Sequence, residues 1–385
     1  MQDVFIRGTS AVLPNAPVSN DDMESVLGQI GDRPARERRI VLSRNGIRQR
    51  YYAMDPATRQ PTHTNARLTA ESVRGLVGAD FSLPDLDVLA CGTSSPDQMA
   101  PGHGVMVHGE LPEAASCEAV SLAGICCSGV AALRYAALTV AAGQARTAVA
   151  TGSETASTFM RSEQFTAQYE AQLTAMERRP ELAFDGVFLR WMLSDGAGAL
   201  LLGQQPAEHG LSFRLDWIEL RSYAHEQAAC MYAGARKRDQ GSLQGWRALP
   251  ADAWSASGAM TFQQDVRQLN EHIVALTIER ALPEVLARRP LAADAIDWFL
   301  PHYSSEYFRP RIQQGLRRIG FEIPEERWFT NLPEVGNVGS ASIYLMLDAL
   351  QRESSLAPGQ RVLCFVPESG RFSAAYMLLT VVEAA

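Results

Sequence analysis

Short apolar runs that stop at a glycine or proline turn and pass at once into helical spacing recur along this chain, and that rhythm leaves few folds open to it. Leu86 to Thr93 reads as a buried strand entering a Gly/Ser/Pro turn, and Ala145 to Gly152 as another. Between them the apolar run Cys117 to Ala123 meets Gly124, and from Gly129 the positions Val130, Leu133, Ala137 and Leu138 recur with helical spacing. In the second half, Val266, Leu269, Ile273 and Leu276 predict a helix over Phe262 to Leu282 that Pro283 bends or ends. A strand Ile296 to Leu300 stops at Pro301-His302, the turn Pro333 to Gly339 precedes a helix carrying Ile343, Leu347 and Leu350, and strands Val362 to Val366 and Ala374 to Val382 close the chain. Strands alternating with helices predict an α/β fold with buried sheets.

A chain of 385 residues divided by about 150 per domain suggests two units. Each half offers the same strand, turn and helix order, so the expected division is residues 1–205 and 206–385, with a seam near Gly203 to Gly210. The polar segments Thr158 to Pro180 and Gln227 to Trp254 read as insertions over that frame.

With 46% hydrophobic and 20% charged residues the chain is neither disordered nor fibrous. Its longest apolar stretches, Val130 to Ala142 with Arg134 inside it and Ala374 to Val382, fall short of the ~18 residues of a membrane span. Met1-Gln2-Asp3-Val4 lacks the basic-then-apolar pattern of a secretion signal, so a cytoplasmic protein is expected. A net charge of -8 argues against a nucleic-acid binder. Lys237 is the sole lysine, in a stretch that reads as a solvated loop, which leaves Schiff-base chemistry one poor candidate. The six cysteines form no Cys-x-x-Cys pair and His103 and His108 lie five positions apart, so neither a metal nor a bound cofactor is expected.

Three residues stand out chemically. A thiol in the first turn of a buried helix is a favoured nucleophile, because the unpaired N–H groups there stabilise a thiolate, and Cys127 is so placed. Cys126 is expected to face away into packing, and buried cysteines also serve simply as small hydrophobes. His302, at the C-terminal end of a buried strand, is a candidate acid, base or hydrogen-bond donor, and equally a satisfied strand-end histidine. Asn337, between Gly336 and Gly339 ahead of a helix, reads alone as a turn or cap residue.

Their combination carries more. Gly124-Ile125-Cys126-Cys127-Ser128-Gly129, then Pro301-His302, then Val335-Gly336-Asn337-Val338-Gly339-Ser340-Ala341-Ser342 resembles the Cys-His-Asn set of the β-ketoacyl-carrier-protein synthase III enzymes of the thiolase superfamily. Asn45-Gly46-Ile47-Arg48-Gln49-Arg50, Ser194-Asp195-Gly196-Ala197-Gly198-Ala199 and Gly370-Arg371-Phe372 are similar to further segments of that family, in the same order. Phe188 to Asp195, Thr93 to Met99, Arg50 to Ala53 and Pro61 to Ala66 together look like the branch found in dialkylresorcinol and aryl-polyene lipid pathways.

The resemblance implies a thiolase-like fold, two duplicated α/β halves in a five-layer α-β-α-β-α arrangement. It implies a ketosynthase, an acyltransferase in which Cys127 takes the acyl group and the backbone N–H groups of Cys127 and Gly370 hold the first oxyanion. His302 and Asn337 would then stabilise the enolate of a β-ketoacyl or malonyl-type unit carried on phosphopantetheine, and cyclisation would follow the condensation. It implies a homodimer, with the loop at Met99 and Ala100 reaching toward the partner's acyl pocket, and an acyl carrier protein as partner.

The arginines of Arg33 to Arg50, Arg44 and Arg48 among them, and those of Arg309 to Arg318 are candidates to receive the phosphopantetheine phosphate and an acidic carrier; solvated charged faces are the other reading. Three departures from the family pattern matter. Ile40 stands where CoA-using members place a tryptophan, so CoA and carrier protein both stay open as acyl donor. His302-Tyr303-Ser304-Ser305 replaces His-Gln-Ala-Asn, with Ser305 in the place of the second Asn, and Ser369-Gly370-Arg371 replaces a Gly-rich run. The rival functions are a non-condensing acyltransferase, a silent scaffolding subunit and a thiol hydrolase.

Overall fold

A computed structural model describes residues 2–30, 36–165, 188–238 and 241–384. Among the described residues, nine strands form one continuous sheet. In chain order they are β1 (Phe5–Val12), β2 (Val88–Thr93), β3 (Glu118–Ala123), β4 (Ala148–Glu154), β5 (Gly196–Gly203), β6 (Leu211–Ser222), β7 (Trp298–Pro301), β8 (Arg361–Glu368) and β9 (Ser373–Glu383).

The sheet order exposes a duplication. The first half runs β3-β2-β4-β5-β1, with β3, β2 and β4 parallel and β5 antiparallel to both its neighbours. The second half runs β7-β8-β9-β6, with β7 and β8 parallel and β9 antiparallel to both its neighbours. Outside β7, Trp328 makes a single parallel bridge to Phe299. With that bridge standing for a shortened third strand, both halves read third, second, fourth, fifth, first. The two first strands, β1 and β6, meet at Phe5–Arg214 and Ile6–Phe213 and join the halves edge to edge. The turn between β5 and β6 spans residues 204–210.

Helices make the other layers. α1 (Asn65–Arg74) and α2 (His103–Gly109) cover one face of the first half around Val73, Leu89, Val107 and Leu201. α3 (Cys127–Ala141) and α4 (Ser342–Glu353) fill the middle, where one apolar core joins Val130 and Leu133 to Leu347, Val362 and Met377. α4 is buried from Ser342 through Leu350, as expected for a helix with apolar neighbours on every side. The far face of the second half is covered by a long helical run and by α5 (Arg309–Arg318), around Leu269, Ile278, Val285 and Ile312. The layers are therefore helix, sheet, helix, sheet, helix.

Pro283 does not end the preceding helix. The run is α-helical over Val266–Val274, takes a wide π turn over Ala275–Arg280 and is α-helical again over Ala281–Arg288, which contains Pro283. The π turn shifts the carbonyl register just ahead of the proline and makes room for its ring. Lys237 is likewise no loop residue: it ends a short strand, Ala235–Lys237, and its Nζ lies 2.8 Å from Asp265 Oδ2. Among the described residues no helix is long and apolar enough to cross a membrane.

Candidate active site

The two central helices begin where the parallel strands end, so helix N-termini and strand C-termini gather on one side of the sheet. α3 starts at Cys127 with no side-chain cap from its own N-cap residue, Cys126. A carboxylate from the other half takes that place. Glu368, the last residue of β8, accepts through Oε2 from the N–H of Ile125 at 3.1 Å and of Cys127 at 2.9 Å. Like any anion at a helix N-terminus, it meets the unpaired amides and the positive end of the dipole.

His302 follows β7 and extends the ladder through its N–H to the Phe365 carbonyl at 2.8 Å. Burial pushes its imidazole down to about 4, so the ring is neutral at pH 7. Asn337 is pinned to the first half: its N–H donates to the Met192 carbonyl at 3.0 Å, and its carbonyl accepts from Ser194 at 2.8 Å. Its Oδ1 accepts the Gly339 N–H at 3.0 Å, which leaves the amide nitrogen as the end able to donate. The segment behind it reaches this position only because two glycines leave room. A Cβ on Gly129 would lie 2.2 Å from the Ser340 carbonyl oxygen, and one on Gly152 2.4 Å from the same atom.

His302 and Asn337 line one cavity together with Ile125, Cys126, Glu154, Pro367 and Ser369. Most of its remaining wall is apolar and comes from both halves, including Leu189, Leu193, Phe262, Leu269, Ile273 and Phe308. About 820 Å³ of space lies between the lining groups, mouth included. A narrow apolar slot with a few convergent polar groups suits an extended alkyl chain ending in a reactive carbonyl.

The two cysteines are not disposed as the sequence suggested. Cys126, expected to face packing, lines the cavity. Cys127 is 5% exposed, lies one layer behind, and directs its thiol 3.4 Å from the carbonyl of Val366, which falls between the lining residues Phe365 and Pro367. Nor is its thiol acidified. Burial pushes it well above the ordinary value and the Glu368 carboxylate pushes it further, overriding the helix N-terminus. The N–H of Cys127 is occupied by Glu368, and the hydrogen bonds of Gly370 run through its carbonyl, from the N–H groups of Cys230 at 2.8 Å and Met231 at 3.3 Å.

Two further carboxylates knit the site's walls. Glu154 accepts from the N–H groups of Ser94 and Ser340 and from the hydroxyls of Ser94 and Ser95, all within 3.2 Å. Asp195, in the segment resembling Gly-Asp-Gly-Ala-Gly-Ala, accepts from the N–H groups of Ala53 and Ser157 and is pushed up to about 7 by burial.

The peripheral residues fall into two groups. Ser304 lines the cavity, whereas Ser305 is buried and spends its hydroxyl on the N–H of Tyr307 at 3.2 Å. Arg44 is exposed and has no ion pair among the described residues; Arg48 is exposed and paired with Glu334. Arg309 pairs with Glu325 at 3.4 Å and covers the face of Trp328. Arg50, from the same cluster, is fully buried and donates to Asn20 Oδ1 at 2.8 Å and the Trp191 carbonyl at 3.1 Å, so it serves the core. Met99 is 64% exposed beside exposed Ala100. The expected insertion Thr158 to Pro180 lies outside the described residues from 166 onward.

Sequence reasoning passed over Glu368. Its available signal was an acidic residue at the end of a buried strand, directly ahead of Ser369-Gly370-Arg371.

The fold is that of the thiolase-like α/β proteins. Solved structures of that fold match along nearly the whole chain. The tetronic acid condensing enzyme AbyA1 matches at 21% identity with a TM-score of 0.74, over 98% of this chain and 99% of its own. 3-Oxoacyl-(acyl carrier protein) synthase III, FabH, from Pseudomonas aeruginosa PAO1 matches at 22% identity and 0.72, over 100% of both chains. OleA of Xanthomonas campestris, solved with bound lauric acid and lauroyl-CoA, matches at 18% and 0.71, over 98% of this chain and 99% of its own. More particularly, residues 286–379 match the family described as 3-oxoacyl-(acyl-carrier-protein) synthase III C terminal, the segment that holds His302, Asn337 and Glu368.

Proposed function

We propose that this chain is a condensing acyltransferase that joins an acyl group held on Cys127 to a second thioester on a carrier protein. The observation that carries the reading is one cavity on which His302, Asn337 and the Ile125-Cys126 turn just ahead of α3 converge from distant parts of the chain. In the first step Cys127 attacks an acyl thioester, the acyl chain lies along the apolar slot, and the thiol proton leaves with the departing thiol. In the second, neutral His302 and the Asn337 amide nitrogen donate to the carbonyl oxygen of the incoming thioester and stabilise its enolate, which attacks the acyl carbon. The resemblance to the dialkylresorcinol branch extends this to a β-ketoacyl unit as second substrate and to ring closure after condensation.

Arg44, exposed and without an ion pair among the described residues, is the member of its cluster proposed to meet a phosphopantetheine phosphate or an acidic carrier. Dimerisation is supported by β3, an outer strand of the sheet with no fully buried residue, with the exposed Met99 and Ala100 in the loop after β2. An unpaired edge of this kind invites a second strand.

The test is product analysis after incubation with acyl and β-ketoacyl carrier proteins. A product with a new carbon-carbon bond, absent for Cys127→Ala, supports the reading. Transfer to an added alcohol, or release of free acid without a second substrate, overturns it. One observation favours a variant of the same reading: Cys126 faces the cavity, and acylation there rather than at Cys127 would relocate the nucleophile by one residue.

A further inference from the structure

Two carboxylates stand near the reacting centre, and their hydrogen bonds set them apart: buried Glu154 lines the cavity, whereas Glu368, half-buried and not itself a lining residue, stands against the N–H of Cys127. Glu154 accepts four hydrogen bonds through its two oxygens, which leaves it no capacity for chemistry. Glu368 accepts two, both through Oε2. Its Oε1 has no partner among the described residues and is not one of the sealed, unpartnered polar atoms of the interior. The space before that oxygen is kept open by Gly370, where a Cβ would stand 3.4 Å from Oε1. Pro367 and Ser369 on either side of Glu368 both line the cavity. This is a carboxylate clamped by one oxygen against the helix that bears Cys127, with its other oxygen unengaged.

We infer that Glu368 is the base that removes the α-proton of the second substrate, so that the enzyme condenses a β-ketoacyl thioester without releasing CO2. The inference rests on the condensing reading and makes it specific. A malonyl-type donor gains its carbanion electron pair by decarboxylation and needs no base. A β-ketoacyl donor keeps all its carbons and must lose the proton on the carbon between its two carbonyls. Here that proton passes to Glu368 Oε1 while His302 and Asn337 hold the enolate oxygen. The carbon then attacks the acyl carbon on Cys127, a carbon-carbon bond forms, and the carbon-sulfur bond breaks. The leaving thiolate of Cys127 takes the proton back from Glu368, which restores both groups and yields a 2-acyl-3-oxoacyl thioester on the carrier. Burial pushes the Glu368 carboxyl above the ordinary carboxylate value, in the direction a general base working near neutrality requires.

The test follows the two half-reactions separately in wild type, Glu368→Gln and Glu368→Asp. Acyl transfer to the protein is timed by intact mass, and the pre-acylated protein is then mixed with a 3-oxoacyl or a malonyl carrier protein while product and CO2 are measured. The expected result is that wild type condenses the 3-oxoacyl substrate without CO2. Glu368→Gln slows that second step about 10²- to 10⁴-fold more than it slows the first, and Glu368→Asp recovers part of the loss. The assignment is overturned if Glu368→Gln condenses at the wild-type rate, or if it slows both steps equally, as a purely structural cap would. It is also overturned if wild type turns over only the malonyl substrate with CO2 release. A wild-type protein that forms acyl-enzyme but no carbon-carbon product from either donor removes the condensing reading itself, and this assignment with it.

Discussion

Glu368 and Cys127 are separated by 241 positions in sequence and joined by a 2.9 Å hydrogen bond from the Cys127 N–H to the carboxylate. The bond ties the C-terminal end of β8 in one half to the first residue of α3 in the other. Removing the carboxylate strands two helix N-terminal donors in a buried setting. Glu368→Ala should therefore lower unfolding stability by about 1–3 kcal/mol, while Glu368→Gln, which keeps an acceptor oxygen, should lose less. Urea unfolding of the two variants beside wild type measures both.

Gly152 bears on Asn337 through the backbone alone. A methyl group at this position would meet the Ser340 carbonyl oxygen at 2.4 Å, in the segment that follows Asn337. Gly152→Ala should cost about 1–3 kcal/mol as overpacking does. It should also slow condensation more than acylation of the protein, because it displaces Asn337 and leaves α3 in place. Half-reaction kinetics on the folded variant check the split.

The fold was largely legible in the sequence because its strands are short, apolar and bounded by glycine or proline. The helix of Cys127 and the strands leading to His302 and Glu368 were located that way. β1 and β6 were not: Ile6, Gly8 and Ser10 alternate with polar neighbours too weakly, and Leu211 to Ser222 was read as lying beyond a seam. Pro283 misled because local rules charge a proline to the helix containing it, and the π turn that accommodates it depends on packing. At the site, the resemblance to the synthase III family named Cys127, His302 and Asn337 but not the direction of their side chains. That Cys126 rather than Cys127 faces the cavity, and that Glu368 spans the two halves, are consequences of tertiary contact.

His302 gives a pH signature with a definite sign. Its ring titrates at about 4 in the fold against an ordinary 6.5, because burial penalises the charged form. The unfolded chain therefore takes up the proton first as the pH falls. Wild type should lose stability relative to His302→Gln between about pH 6.5 and 4, by an amount on the order of 3 kcal/mol, with no further change below. Denaturant unfolding of both proteins across that range measures it, and an unchanged difference would contradict a buried neutral ring.

The basic cluster should divide by burial. Arg50→Ala removes a buried guanidinium bonded to Asn20 and Trp191 and should lower the melting temperature sharply. Arg44→Ala, at an exposed position, should leave the melting temperature alone and raise KM for a carrier-bound substrate, with the effect shrinking as salt is added. Thermal melts and salt-dependent kinetics separate the two.

Everything proposed for the chemistry depends on which sulfur takes the acyl group. The most direct measurement is peptide mass mapping of the protein after brief exposure to an acyl carrier protein, with Cys126→Ser and Cys127→Ser as controls. The account predicts one acyl group per chain, on Cys127, retained in Cys126→Ser and lost in Cys127→Ser. An acyl group that persists in Cys127→Ser, or no acylation of the wild-type protein, would contradict it.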